Sequence, residues 1–167
     1  NNGYSVVVAD INDENGHAVA DDLGDNASFQ HCDVTSKSDV EALIGNTLNT
    51  FGGLQVIINN AVPPSSLKPL EEKSDEEFQH QLDGGFFAAR WAMNAAFESM
   101  KGAQYGRIIN LCSLNGVNAH PETTDYNVAK EALRSLTRTA AREWAPYGIT
   151  VNAICPGAVT AAFTAMT

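Results

Sequence analysis

Short, almost wholly apolar runs alternate along this chain with longer segments of helical periodicity, and that alternation restricts the fold more than any other feature. Val6-Val7-Val8 and Val56-Ile57-Ile58 are β-branched runs, suited to strands buried on both faces. Residues 4–9, 28–32, 54–58 and 106–113 read as strands, and a further one lies in 147–157. Between them, 13–23 reads as a helix stopped by Gly24. Residues 36–51 read as a second, with Ser36 or Ser38 as cap and Gly52-Gly53 as terminator. In the third helical segment Phe78, Leu82, Phe86, Ala89, Met93, Phe97 and Met100 recur at intervals of three or four, predicting one continuous apolar stripe. Residues 114–123 read as a loop and 124–145 as a fourth helix, striped by Leu133, Leu136, Ala140 and Trp144. Strand and helix in alternation predict an α/β fold: a doubly wound parallel sheet in a three-layer α/β/α arrangement.

At 167 residues the chain holds a single domain over 1–167 with one core. No run approaches 18 uninterrupted apolar residues, so no membrane span is expected. Twenty acidic against ten basic residues give a net charge of −10, the wrong sign for a nucleic-acid surface. Cys32, Cys112 and Cys155 each fall near the end of a predicted strand. They read as small buried thiols, kept reduced in a cytoplasmic protein. Their spacings fit no zinc motif, and His17, His31, His80 and His120 form no ligand cluster, so no metal is expected.

Chemistry concentrates in the second half. Tyr126 and Lys130 stand at i and i+4, on one face of the fourth helix. A phenol is a poor proton donor or acceptor at neutral pH, but an ammonium about 5 Å away favours the phenolate by about 3 kcal/mol at an effective dielectric of roughly 20. Such a pair can do general acid–base work. Ser113, thirteen residues before the tyrosine at the end of an apolar strand, could hold the oxygen that exchanges the proton. A Tyr-x-x-x-Lys spacing alone is also common on solvated helices.

Order adds what spacing lacks. Strand, loop with Ser113, helix with Tyr126 and Lys130, strand, then Pro156-Gly157: this sequence of elements resembles the compact single-domain branch of the short-chain dehydrogenase/reductase family. Asn59-Asn60-Ala61 after the strand 54–58, Asp33-Val34 after 28–32, and Asp10 after 4–9 match further elements of that family, over the whole chain.

The resemblance implies an oxidoreductase that moves a hydride between a nicotinamide cofactor and a secondary alcohol or ketone. Tyr126 would be the general acid/base, Ser113 would orient the substrate oxygen, and Lys130 would serve both the phenol and the nicotinamide ribose. Asp10, Asp33, Val34, Asn60, Ala61, Pro156, Gly157, Val159 and Thr160 would line the cofactor. A carboxylate at Asp10 accepts bonds from ribose hydroxyls and repels a 2′-phosphate, so NAD is expected over NADP. Asp10 also reads as a solvated strand end, and Asp33 and Asn60 as local turn caps. In the family the helices at 76–100 and 124–145 join subunits, which implies a homo-dimer or homo-tetramer; the alternative is that their stripes cover the sheet. The chain departs from the family pattern at Val62, where a glycine is expected, at Gln81, where an asparagine relays protons, and at Ala161, with threonine one residue early at Thr160. It also lacks the glycine-rich turn with which members begin. The expectation is therefore the interior of a longer protein, with a non-catalytic Rossmann-like scaffold as the alternative to an enzyme.

Overall fold

The computed structural model describes residues 3–156. Five strands, all paired in parallel, lie in two sheets. Strand β1 (Val6–Asp10) pairs with β2 (Ala27–His31), while β3 (Val56–Asn59), β4 (Gly106–Leu111) and β5 (Ile149–Ile154) pair in that order. Between the strands run α1 (Asp13–Leu23), α2 (Lys37–Phe51), α3 (Asp75–Leu82), α4 (Ala88–Ala103), α5 (Leu114–Asn118) and α6 (Thr124–Trp144). The expected α/β architecture is present, but β1 and β3 share no ladder among the described residues. None of the described helices is long and apolar enough to cross a membrane.

Alternation along single strands places the layers. In β2, Phe29 packs against the ring of His17 of α1 at 4.6 Å, whereas its neighbour Gln30 accepts a hydrogen bond from Asn46 of α2 at 3.4 Å. Successive strand residues point to opposite faces, so α1 and α2 cover opposite sides. In the second sheet Ile57, Ile108 and Val151 form one register row and are all buried. They meet Val40 and Ile44 of α2, Met93, Ala96 and Met100 of α4, and Ala140 of α6 in one core. The next row, Ile58, Ile109 and Asn152, faces the other way. Ile58 is 61% exposed there, so burial of the second β-branched run on both faces is not what the structure shows.

Local signals place the helix ends. Asn12 Oδ1 accepts from the Asn15 N–H at 2.9 Å to start α1, and Ser36 Oγ does the same for α2 from Asp39 N–H. Gly52, with φ +71°, closes α2. The third helical segment differs from its expected single stripe. A π turn over Asp83–Phe87 separates α3 from α4, and the extra residue rotates the buried face. Of the expected stripe, Ala89, Met93 and Met100 are buried and Phe78, Leu82, Phe86 and Phe97 half-buried; Gln81, Gly84, Gly85, Ala88, Ala92 and Ala96 are buried as well. Close approach explains the buried glycines. A Cβ on Gly84 would lie 2.4 Å from Pro63 Cδ, and one on Gly85 would lie 3.1 Å from Ala129 Cβ of α6. The expected loop at 114–123 contains the short helix α5, for which Ser113 is the cap.

Candidate active site

Because the described strands all pair in parallel, their C-terminal ends share an edge within each sheet, and most of the sequence-predicted site residues sit there. Asp10 ends β1, Asp33 and Val34 follow β2, Asn60 and Ala61 follow β3, Ser113 follows β4 and Pro156 follows β5. Gly157, Val159, Thr160 and Ala161 lie outside the described residues.

Lys130 organises the centre. Its side chain is buried, and Nζ donates to the backbone oxygen of Leu111 at 2.7 Å. Leu111 is the last residue of β4, two before Ser113. The same ammonium lies 5.5 Å from the centroid of the Tyr126 ring. Seven residues further along α6, Thr137 Oγ1 accepts from Asn110 Nδ2 at 2.8 Å. Asn110 is fully buried, and its Oδ1 accepts from Asn59 Nδ2 of β3 at 2.8 Å. Residues 126, 130, 133 and 137 follow one helical stripe. Two polar ties on that stripe therefore fix which face of α6 meets the end of β4. Ser113 Oγ accepts from the Asn115 N–H at 3.1 Å, so this serine both ends the strand region and starts α5.

The remaining candidates divide. Asp10 is exposed, with Oδ1 accepting from Asn12 N–H at 2.9 Å and Oδ2 turned to no described partner. Asn60 and Ala61, after β3, are exposed. Asp33 Oδ1 accepts from both the N–H and the hydroxyl of Thr35, at 2.9 and 2.8 Å, which is turn capping. Val34 packs against the core. Gln81 spends its amide hydrogens on the carbonyls of Pro63 and Pro64, at 3.0 and 2.8 Å. Val62 approaches Gly85 of the π turn.

The sequence alone did not single out Asn110 and Thr137, nor a buried ion pair between Lys73 and Asp125 at 2.9 Å. The signal was available for Asn110: an amide at an inward position of an otherwise apolar strand must find a partner. For Lys73 no local pattern distinguishes it from a solvated lysine.

Burial pushes the Lys130 ammonium from 10.5 down to about 8. Between these values the unfolded chain holds a proton that the folded chain has released, so this group's contribution to stability rises with pH. The thiols of Cys32 and Cys112, raised by burial to about 11, act in the opposite sense above 9. The comparison that isolates the lysine is with Lys130→Met. Between about pH 7 and about pH 9 the unmodified protein should gain about 1 kcal/mol relative to this variant. Urea midpoints at the two pH values measure it, and equal gains in both proteins would mean that the ammonium is not desolvated.

The polar groups at the strand ends suit a nicotinamide dinucleotide: an accepting carboxylate oxygen on Asp10, and at the other sheet a donating buried ammonium with only one described hydrogen-bond partner. Comparison with known proteins points the same way. The chain matches the family model described as short chain dehydrogenase over residues 1–167. It is 42% identical over 161 residues to a 2,5-dichloro-2,5-cyclohexadiene-1,4-diol dehydrogenase from Sphingobium indicum, covering 94% of this chain and 63% of that protein. The chain thus spans less than two thirds of that relative's length. An NAD+-bound xylitol dehydrogenase shares the fold with a TM-score of 0.85 and 31% identity, over 90% of this chain and 59% of that one. A metagenomic short-chain oxidoreductase in complex with NADP superposes with a TM-score of 0.85 at 26% identity, over 92% of this chain and 71% of that one. Matched along all its residues by the family model and sharing this fold with dinucleotide-bound oxidoreductases, the chain belongs to the short chain dehydrogenase family.

Proposed function

We propose that the full-length protein containing this chain is an NAD-dependent oxidoreductase acting on a secondary alcohol or ketone. The observation that carries this reading is the Lys130 ammonium, buried between the Tyr126 ring and the end of the strand that leads to Ser113. The nicotinamide, when bound, supplies the hydride acceptor or donor. Tyr126 gives a proton to the substrate oxygen in reduction and takes it in oxidation. Lys130 favours the phenolate through charge and holds the helix in register through Leu111. Ser113 Oγ accepts from a backbone N–H, which leaves its own O–H to donate to the substrate oxygen. The relatives named for a ring diol and for xylitol support an alcohol substrate class. Assembly as a homo-dimer or homo-tetramer through α4 and α6 belongs to the same proposal, and light scattering of the purified protein tests it.

The test of function is the appearance of reduced nicotinamide, followed by absorbance, with a panel of cyclic and acyclic secondary alcohols. Absence of turnover with either dinucleotide returns the protein to the scaffold reading. The cofactor preference rests on Asp10, because a carboxylate facing a 2′-phosphate is a like-charge contact that costs several kcal/mol. NAD should therefore be preferred over NADP by at least about tenfold in kcat/KM, and Asp10→Asn should remove most of that preference. An Asp10→Asn protein that still rejected NADP as strongly would place the discrimination elsewhere.

A further inference from the structure

The helix that carries Tyr126 begins without a cap of its own. Thr123, at the N-cap position, turns its hydroxyl to the His120 carbonyl at 3.1 Å and to Asn127 Oδ1 at 3.2 Å, and accepts from no helix N–H. The chain enters through Glu122 at φ +63°. A first turn of this kind frays unless something else holds it.

What holds it is the strap between β3 and α3. Asp125, the second residue of α6, is buried, and its carboxylate meets Lys73 Nζ at 2.9 Å with both side chains out of solvent. Ser65 Oγ reaches both carboxylate oxygens, at 3.1 and 3.0 Å. Lys73 also donates to the Ser66 carbonyl. The Lys68 N–H donates to the Glu122 carbonyl at 3.1 Å, one residue before the N-cap of α6. Gln81 secures the other end of the strap through Pro63 and Pro64.

A buried ion pair is a poor way to gain stability, since desolvation offsets the attraction, and its best-attested use is to fix one arrangement against alternatives. The arrangement fixed here is the first turn of α6, and the residue after Asp125 is Tyr126. We propose that Lys73 and Asp125 are positioning residues for Tyr126: the strap, through this pair, sets where the phenol stands relative to Lys130 and Ser113. This rests on the proposed function, because a placement matters only if Tyr126 reacts.

The test uses Asp125→Asn in the full-length protein, with two readouts. Amide hydrogen exchange over residues 127–129, the first amides of α6 with a helical acceptor, should accelerate by at least about tenfold, while the segment from Leu133 to Ala140 stays protected. Turnover should fall by about 10- to 100-fold at little-changed NAD affinity, the size expected for a displacement of about 1 Å. Unchanged exchange in 127–129 overturns the proposal whether or not the protein is active. Accelerated exchange with wild-type kcat overturns it too, because the pair would then hold the turn without serving the phenol. A wild-type protein with no turnover defeats the functional reading, while exchange still decides whether the pair holds the turn. If Asp125→Asn does not fold, Lys73→Met/Asp125→Leu removes both charges, and the same readouts apply. Failure of both variants to fold would make the pair purely structural and end the proposal.

Discussion

Tyr126→Phe is expected to lower turnover of the full-length protein by about 10²- to 10⁴-fold, the contribution typical of one positioned general acid or base. The ring is kept, so the half-buried surface that Tyr126 presents beside Lys130 changes little. Lys130 keeps its bond to the Leu111 carbonyl, and the ties through Asn110 and Thr137 are untouched. NAD affinity should therefore stay within a few-fold of wild type, and the loss should fall on kcat. Lys130→Ala should behave differently, lowering both kcat and cofactor affinity, because it removes the charge that favours the phenolate and a ribose donor together. Steady-state kinetics with a separate NAD titration make the comparison. A Tyr126→Phe protein that retained most of its rate would remove the acid/base assignment.

The fold was legible where sequence carries a period. The ends of α1 and α2 follow from Asn12, Ser36 and Gly52, each a cap whose hydrogen bond or backbone angle is set within a few residues. β1 and β3 follow from their β-branched runs, and the other described strands from short segments set between helical ones. The π turn was not legible, because Gly84 and Gly85 answer to Pro63 and Ala129, neighbours distant in the chain. The site was legible in its residue types: Ser113 and Lys130 lie two residues and one hydrogen bond from Leu111, and Tyr126 lies one turn from Lys130. Its support was not. Lys73 and Asp125 are 52 positions apart, and nothing in either local sequence says that both are buried. Asp33 reads as a cofactor contact or as a turn cap, and its Oδ1 accepts both the N–H and the hydroxyl of Thr35.

Gly148→Ala should destabilise the protein more than any other small substitution at a turn. Gly148 stands between the short 3₁₀ turn Ala145–Tyr147 and β5, with φ +70°. Its N–H donates to the Ala145 carbonyl at 3.0 Å, and its own carbonyl accepts from Gly106 N–H at 3.4 Å and from Arg107 Nη1 at 3.0 Å. These bonds start the pairing in which Gly106 faces Ile149 and Leu111 faces Ile154. A Cβ added here would sit 2.1 Å from the Gln104 carbonyl oxygen, which is backbone and cannot rotate away. The left-handed conformation adds about 1–2 kcal/mol of strain for alanine, and forced overpacking adds about 1–3 kcal/mol more. The sum, about 2–5 kcal/mol, is a large share of the roughly 5–15 kcal/mol that holds a typical domain folded. At about 2–4 °C per kcal/mol for a chain of this size, Tm should fall by about 5–20 °C. Gly52→Ala is the control: Gly52 has the same backbone sign, φ +71°, but nothing lies within 4 Å of its added Cβ, so only the strain remains. Because β4 ends two residues before Ser113, relief of the clash by a shift in β4–β5 register would move the serine away from Tyr126 and Lys130, and activity would fall along with Tm. Thermal unfolding of the two variants separates clash from strain, and equal losses at both positions would show that the Gln104 contact yields without effect on the sheet.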